Sequence, residues 1–200
     1  KEKFYRFNLI KKNIFFLEVL VVYCLIINVS YSDIQSKIIN KVTSIRTLSF
    51  NFEQQIGEKK ESGKCAIKYP LLMKCDYYNV KQKTIISNGK TIAVIKKKYK
   101  KIYLYPIKTT LLFKVLKKEE IFKLVRNNKP EKLDSNLIAF AAAGTKYNNL
   151  KILFDEKSLE LKGWKTVDAY SNNVIFLISD LIINKKIEDK IFKIPQESDL

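Results

Sequence analysis

The sequence predicts an α+β fold, in which a strongly curved antiparallel sheet forms an incomplete β-barrel and helices cover its concave apolar face. Three observations support this prediction. Residues 63–95 read as short strands joined by turns, and a second run of strands extends over 137–183. The segments before and between these runs have helical periodicity, with apolar arcs broader than one buried stripe requires. The helices therefore have enough apolar surface to cover one dry face of the sheet.

The first predicted elements are a helix over residues 33–47 and a strand over 48–56. Asp33 can cap the helix N-terminus. Four apolar residues recur along the helix at helical spacing: Ile34, Ile38, Val42 and Ile45. In the strand, alternate positions put Phe50, Phe52 and Ile56 on one side. Both elements therefore present an apolar face to a common core.

The stretch 63–95 predicts a four-stranded meander. Its first turn is at Tyr69-Pro70, and its last is at Asn88-Gly89. Asn-Gly between β-rich runs is the strongest short hairpin signal, because both central residues must accept a positive φ. A further strand over 101–105 ends before Pro106. The meander has no recognisable catalytic arrangement, which favours binding of an apolar ligand over chemistry.

The hairpin around Pro70 contains two cysteines. Positions 65, 67, 69, 73, 75 and 77 are apolar whereas 64, 68, 74 and 76 are charged, so Cys65 and Cys75 share the apolar face. If the hairpin is symmetrical about Pro70, the two residues lie directly opposite each other, and a disulfide is expected in an oxidising compartment. A pair of buried free thiols is the alternative, because a one-residue slip in register would separate them.

The second half of the chain predicts helix first and strands afterwards. Residues 109–127 read as helix in two pieces, each with its own apolar patch: Leu111, Leu112, Val115 and Leu116 in the first, and Ile121, Phe122, Leu124 and Val125 in the second. Strands are predicted over 137–143, 150–154, 158–161, 166–170 and 173–183, before a short closing segment over 187–194.

Residues 1–32 have the layout of a secretory signal peptide. A lysine-rich start precedes an apolar run over 14–27, and the small residues Ser30 and Ser32 predict cleavage before Asp33. An uncleaved membrane anchor is the alternative. Residues 33–200 are long enough for one domain with its own core. The prediction is therefore a single exported domain.

The content of basic residues indicates which classes of partner the protein binds. The formal net charge is +18, but arginine occurs only at positions 6, 46 and 126. Nucleic-acid readers favour arginine for its bidentate geometry, so no nucleic-acid partner is expected. The densest basic run, 96–101, is interpreted either as a solvated hairpin tip or as a surface for anionic lipid headgroups or an acidic partner.

The composition also bears on chemistry. The chain has no histidine and no Gly-x-Ser-x-Gly motif, which argues against a hydrolase. We expect no enzymatic activity, no cofactor and no metal site.

Eight side chains are predicted to converge on one apolar interior. They are Phe50, Phe52, Ile67, Tyr69, Met73, Leu112, Phe113 and Leu116. This interior is either an ordinary filled core or a pocket that receives acyl chains. Periodicity alone does not distinguish the two.

Several short motifs occur in the order found in one known family. Phe52-Glu53-Gln54 fits a Phe-x-Gln strand, and residues 63–70 fit Gly-x-Leu-x-x-x-Arg-Pro. Residues 85–92 fit a Val-Ser-Asp-Gly-x-x-Leu hairpin, and 111–116 fit the helix near Pro-x-x-Leu-Leu. The closing matches are Phe154-Asp155, Asp168 and Phe192-Lys193-Ile194-Pro195. Together these motifs resemble the LolA-type outer-membrane lipoprotein carriers, over nearly the whole of residues 33–200.

This resemblance implies a monomeric periplasmic carrier that performs no chemistry. Such a carrier takes acylated lipoproteins from the inner-membrane lipoprotein-releasing ABC transporter. It shields their acyl chains between a half-barrel and lid helices, and hands them to an outer-membrane receptor or to the outer membrane itself. A periplasmic protein of the same fold that binds free lipid or an envelope signalling partner is the alternative, since fold alone does not fix the ligand.

The resemblance also assigns two residue roles. Phe52 matches an aromatic residue near the cavity mouth. Tyr69 stands where the family has an arginine that latches the lid helices, so it is the latch candidate here. A phenol donates one hydrogen bond and carries no charge, whereas a guanidinium has five donors. The closed state is therefore expected to be held less strongly.

Overall fold

The computed structural model describes residues 33–79, 82–133, 136–141, 150–168 and 170–200. The described part of 38–200 forms one compact unit, and residues 33–37 belong to a separate leading unit. The predicted signal peptide, 1–32, lies outside the described residues.

The described residues form one eleven-stranded sheet in which all neighbouring strands are antiparallel. The spatial order is β6-β5-β4-β3-β2-β1-β11-β10-β9-β8-β7, so β6 and β7 are edges and the sheet is not closed. The predicted α+β incomplete barrel is confirmed. The strands are β1 (Thr47–Ile56), β2 (Lys59–Lys68), β3 (Leu72–Tyr77), β4 (Lys83–Asn88), β5 (Thr91–Lys96), β6 (Lys101–Pro106), β7 (Glu131–Leu133), β8 (Leu137–Ala141), β9 (Lys151–Asp155), β10 (Leu161–Val167) and β11 (Asn173–Ile183).

The helices in the described part of the chain are α1 (33–44), α2 (Leu112–Leu116) and α3 (Lys118–Asn127). The predicted division of 109–127 into two pieces is confirmed, because Lys117 between α2 and α3 is extended, with φ −115° and ψ 110°. The helical residues that are buried are Ile38, Val42, Val115, Leu116, Ile121, Leu124 and Val125. Their burial follows from the apolar spacing of each helix.

Cross-strand register defines the apolar face of the sheet. Directly opposed residues in antiparallel strands point to the same side. Phe50 lies opposite Cys65, and Cys65 lies opposite Cys75. Two residues further along β1, Phe52 lies opposite Gly63 on β2. These rows are buried, whereas Asn51 between them is exposed, so β1 buries one side only.

The C-terminal segment covers part of the opposite face. Ile86, Ala93 and Ile95 form a small second core there, with Ile102, Ile194 and Leu200 packed against it. The predicted closing segment, 187–194, contains a 3₁₀ helix over Asp189–Phe192. The backbone N–H of Ile102 donates to the Glu197 carboxylate at 2.9 Å, which ties the chain end to β6. This second core was not predicted.

Two of the predicted strands are wrong. No strand spans 158–161: a turn occupies 156–158, in which the backbone N–H groups of Lys157 and Ser158 donate to Asp155 Oδ1, Leu159 has a φ of 57°, and the next strand begins only at residue 161. The predicted strand over 166–170 begins too late, because Thr166 and Val167 are the last residues of β10, and after them Asp168 Oδ1 accepts hydrogen bonds from the backbone N–H groups of Tyr170 and Asn172 in a turn. A single strand, β10, runs between the two turns.

Candidate functional site

Aromatic side chains from three strands stack across the apolar face. Phe176 lies at the centre, with its ring centroid 4.0 Å from Trp164 and 4.7 Å from Phe52, and both pairs are nearly parallel. Phe50 and Tyr77 extend the group through edge contacts, Phe50 to Phe176 at 6.4 Å and Tyr77 to Phe52 at 4.8 Å. These rings are at least nine-tenths buried. The interior is therefore lined by a continuous aromatic surface.

The position of the Phe52 ring depends on a glycine in the neighbouring strand. Gly63 lies opposite Phe52, and a Cβ built at Gly63 would stand 2.8 Å from the Phe52 ring and 2.2 Å from the backbone oxygen of Asp76. No side chain fits at that distance. Gly63 therefore leaves the space that the Phe52 ring occupies.

The structure places the eight predicted interior residues in two groups. Phe50, Phe52, Ile67 and Met73 are buried and share one face of β1, β2 and β3. The other residues lie at or near one end of that face. Of these, Leu116 is buried, whereas Tyr69, Leu112 and Phe113 are partly exposed. The strand residues are thus brought together, and α2 presents a partly accessible apolar side.

Cys65 and Cys75 lie on the same face of the sheet as Phe50, Phe52, Ile67 and Met73. Their Cα atoms are 4.1 Å apart, and the structure joins them by a disulfide. Both side chains are buried. The bond links β2 to β3 beneath the aromatic group, so two of the strands that carry the interior are covalently connected.

The lid contact involves the turn after Tyr69 rather than its hydroxyl. The Leu71 backbone N–H donates to the Leu116 carbonyl at 2.9 Å, which fastens the end of α2 to the β2–β3 turn. Within the described residues, no hydrogen bond of the Tyr69 hydroxyl is present. Its ring lies 5.4 Å from Lys118 Nζ, and burial raises the pKa of the phenol. The Tyr69-Pro70 peptide bond is cis.

A polar cluster closes the other end of the face. The Lys83 ammonium lies 2.6 Å from Glu61 and 3.7 Å from the centre of the Tyr77 ring. The Tyr77 hydroxyl donates to Gln54 at 2.7 Å. Burial alone would raise the pKa of the Glu61 carboxyl, but hydrogen bonds from Lys83 and Lys59 outweigh it and lower the pKa. The carboxylate therefore stays charged in a largely buried position.

Sequence reasoning missed three members of the aromatic group: Trp164, Phe176 and Tyr77. The signal for Phe176 was present, because Val174, Phe176 and Ile178 alternate along β11 in the same way as the chosen residues of β1. Trp164 follows Gly163, where a Cβ would stand 1.9 Å from the backbone oxygen of Phe176. This close approach could not be inferred from periodicity.

The buried aromatic face is suited to holding apolar groups.

In the described part of the chain, no cluster of histidine, cysteine and acidic residues has the arrangement of a metal site. None of the helices in that part has the length and hydrophobicity needed to span a bilayer.

The family model for the outer membrane lipoprotein carrier protein LolA matches residues 43–195. No curated protein sequence is significantly similar to the chain.

Several solved structures are similar at low sequence identity. An uncharacterized conserved protein from Thermus thermophilus has 7% identity and a TM-score of 0.49, over 83% of this chain and 94% of that chain. A DUF1329 family protein from Desulfovibrio piger has 10% identity and a TM-score of 0.46, over 82% and 96%. A LolA superfamily protein from Nitrosomonas europaea has 9% identity and a TM-score of 0.41, over 79% and 96%.

Proposed function

The chain belongs to the LolA family of outer membrane lipoprotein carrier proteins, and we propose that it transports acylated lipoproteins across the periplasm. In this proposal, the carrier receives lipoproteins from the inner-membrane lipoprotein-releasing ABC transporter. It then delivers them to an outer-membrane receptor or to the outer membrane itself. Family membership supports the coarser role, a periplasmic carrier that binds lipoproteins or lipids. Receipt from the ABC transporter and delivery to the outer membrane are the steps that we propose in addition.

The aromatic-lined face of the sheet, with a short helix fastened at one end of it, is the observation that supports the proposal. Acyl chains gain about 0.8 kcal/mol for each CH₂ group removed from water, so a lipoprotein with several chains needs an apolar container to leave a membrane. Phe50, Phe52, Phe176 and Trp164 offer such a surface. These rings are buried in the structure, so cargo would have to displace what covers them.

The cover is small, so the free energy needed to displace it is within reach of a bound acyl chain. The α2 helix has five residues and no side-chain hydrogen bond at its N-cap. A helix this short is unstable by itself and depends on packing. Its connection to the β2–β3 turn is the Leu71–Leu116 hydrogen bond, and a bond of this kind contributes about 0.5–1.5 kcal/mol net. Displacement also exposes the buried side chains of Val115 and Leu116, at about 1.5–3 kcal/mol each, so burial of about ten CH₂ groups of cargo offsets the whole cost.

The proposed carrier needs no catalytic group, because transfer requires only that the acceptor binds the acyl chains more tightly than the carrier does. Release therefore depends on the relative affinities of carrier and acceptor.

Identification of the bound ligand tests this proposal. The protein is purified from the periplasm without detergent, and its bound molecules are identified by mass spectrometry. Acylated N-terminal lipoprotein peptides are the expected result. Free phospholipid alone would contradict the lipoprotein role and favour the same-fold lipid binder.

A variant of α2 tests the location of the site. Phe113→Asp places a charge on a partly exposed position, so folding is expected to survive. Burial of an unpaired carboxylate against acyl chains is costly, so binding of a synthetic triacylated lipopeptide should weaken at least about tenfold. Tyr170→Asp, at an 87% exposed position, is the matched control and should bind as the wild type does. Equal binding by both variants would place the site elsewhere.

A further inference from the structure

The edge strand β6 and the turn before it form a surface of their own, residues 96–105, which we call the basic edge. Because β6 is the last strand on its side of the sheet, one of its two backbone edges has no strand partner among the described residues. Half of the large hydrophobic side chains that are exposed in the described chain lie here, with exposed fractions of 43–60%: Tyr99, Tyr103, Leu104 and Tyr105. Such clustering of exposed apolar groups marks an interaction surface.

The same segment carries a concentrated positive charge. Five of the six residues over 96–101 are lysines. Among the ion pairs of the described residues, one involves this run, between Lys101 and Glu197 at 3.9 Å. Lys97, Lys98 and Lys100 are exposed. Their ammonium groups are therefore available to an anionic partner.

A surface groove of about 480 Å³ adjoins the run and shares Lys97 with it. Three further lysines line this groove, Lys64, Lys74 and Lys83, together with one carboxylate, Asp76. Lys74 lies 3.7 Å from Asp76, and Lys83 is paired with Glu61. The groove therefore retains an excess of positive charge from Lys64 and Lys97.

We propose that the basic edge docks the protein on a bilayer that contains anionic phospholipid. Lysines would lie among the phosphates, and the exposed tyrosines and Leu104 would enter the interfacial layer. Tyrosine is enriched at membrane interfaces, and lysine clusters bind anionic headgroups by charge without selecting a shape. The combination fits a membrane better than a single acidic protein, which would favour bidentate arginine contacts. This inference rests on the proposed function, in which the carrier delivers cargo at a membrane.

Flotation with vesicles tests docking in the absence of cargo. The purified protein is mixed with vesicles of phosphatidylethanolamine and phosphatidylglycerol, and separately with vesicles of phosphatidylcholine alone. Binding is expected to the anionic vesicles, with weakening as salt screens the charges. Each lysine near an anionic surface contributes about fivefold. The triple variant Lys97→Gln, Lys98→Gln, Lys100→Gln should therefore bind at least about tenfold more weakly.

A charge-matched control separates the basic edge from overall charge. Lys157→Gln, Lys185→Gln and Lys186→Gln remove the same three charges from exposed positions elsewhere. This control should change vesicle binding by less than about threefold. Thermal melts should show the same midpoint for all three proteins, because every substituted residue is exposed. Equal losses in both triple variants would overturn the proposal, as would equal binding of the wild type to the anionic and the phosphatidylcholine vesicles.

A double variant tests the apolar contribution. Tyr99→Ser with Leu104→Ser should leave weak, fully salt-reversible binding to the anionic vesicles. Unchanged binding at high salt would overturn the interfacial part of the proposal.

Lipopeptide binding separates this inference from the proposed function. A protein that binds triacylated lipopeptide but no vesicles contradicts docking and leaves the carrier function standing. A protein that binds vesicles but no lipopeptide contradicts the carrier function.

Discussion

The indole of Trp164 stacks face to face on Phe176, with ring centroids 4.0 Å apart and an interplanar angle of 6°. Phe176 in turn stacks on Phe52 at 4.7 Å, so one column of rings joins β10, β11 and β1. Trp164 is the single tryptophan of the chain and is 5% exposed. Its fluorescence therefore reports on the proposed acyl-binding interior alone.

We predict that triacylated lipopeptide changes the emission of Trp164 in a saturable way. Acyl chains that enter between α2 and the sheet would alter the ring contacts of Trp164, and with them its emission wavelength and intensity. The measurement is a fluorescence titration with the lipopeptide at constant protein concentration. The same peptide without acyl chains should leave the spectrum unchanged. Tight binding of lipopeptide with no spectral change would place the cargo away from the aromatic column.

Truncation of Phe52 should strongly destabilise the fold. Phe52 is 2% exposed and contacts both Phe176 and Tyr77, so Phe52→Ala removes a buried ring and leaves a cavity. A loss of about 3–5 kcal/mol in the free energy of unfolding is expected. Denaturant titration measures it. Tyr170→Ala, at an exposed position, should cost less than about 0.5 kcal/mol. A loss below about 1 kcal/mol for Phe52→Ala would show that the ring is loosely packed.

The sheet was predictable where turn chemistry and alternation agree. Asn88-Gly89 located a hairpin that the structure confirms, although Gly89 takes a positive φ of 93° and Asn88 does not. Instead, the Asn88 side chain accepts hydrogen bonds from the backbone of Lys90 and Thr91. The predicted turn was correct because a positive φ and hydrogen bonds to an asparagine side chain both favour a turn at Asn-Gly.

The sequence was misleading where apolar residues occur inside turns. Leu159 lies within the predicted strand 158–161, yet the Asp155 side chain caps a turn over 156–158 and the strand begins only at Leu161. The Asp-x-x-Ser pattern was a turn signal that competed with the alternation. The partners of Phe52 were not predictable, because β1 meets β11 across more than a hundred residues and periodicity does not reveal which strands pair.

Reduction of the disulfide should destabilise the protein. The bond closes a loop between Cys65 and Cys75, ten residues apart, and such a loop restricts the unfolded chain by about 2–3 kcal/mol. Denaturant titration with and without reductant measures the difference. The double variant Cys65→Ala, Cys75→Ala is the control, and its stability should not respond to reductant. An equal response in wild type and double variant would assign the effect to something other than this bond.

Tyr69 should make stability depend on alkaline pH. Burial raises the pKa of its phenol above the unfolded value, so the neutral form is favoured by folding. The contribution of this group to the free energy of unfolding is fully present at pH values below the pKa of the phenol in the unfolded chain. It is lost as the pH rises through the higher pKa of the phenol in the folded protein. Above about pH 10, the unfolding free energy of wild type should fall more steeply than that of Tyr69→Phe, by up to about 1.4 kcal/mol per pH unit.

The Tyr69→Phe variant also addresses the latch assigned to Tyr69. At neutral pH, Tyr69→Phe should cost less than about 1 kcal/mol, because the ring near Lys118 is retained and no hydrogen bond of the hydroxyl is present in the described residues. Tyr170→Phe, at an exposed site, is the control and should change the free energy of unfolding at neutral pH by less than about 0.5 kcal/mol. A large loss in Tyr69→Phe at neutral pH would support the latch, and parallel pH curves would contradict the burial argument.

The ion pair between Glu61 and Lys83 should stabilise the protein at neutral pH. The two side chains are 7% and 18% exposed, and their charged atoms are 2.6 Å apart. Glu61→Gln leaves Lys83 with no charged partner in a largely buried position, so a loss of about 1–3 kcal/mol in unfolding free energy is expected at pH 7. Glu197→Gln breaks an exposed pair and should cost less than about 0.5 kcal/mol.

Acid titration then tests the sign of this contribution. Hydrogen bonds from Lys83 and Lys59 outweigh burial and hold the pKa of Glu61 below its unfolded value. Stability from such a group is present above the unfolded pKa, and is lost as the pH falls through the lower, folded pKa. The difference in unfolding free energy between wild type and Glu61→Gln should therefore shrink below about pH 4. A difference that stays constant down to about pH 2, or grows on acidification, would show that the carboxylate is not held by its lysines, and that the loss at neutral pH arises from packing.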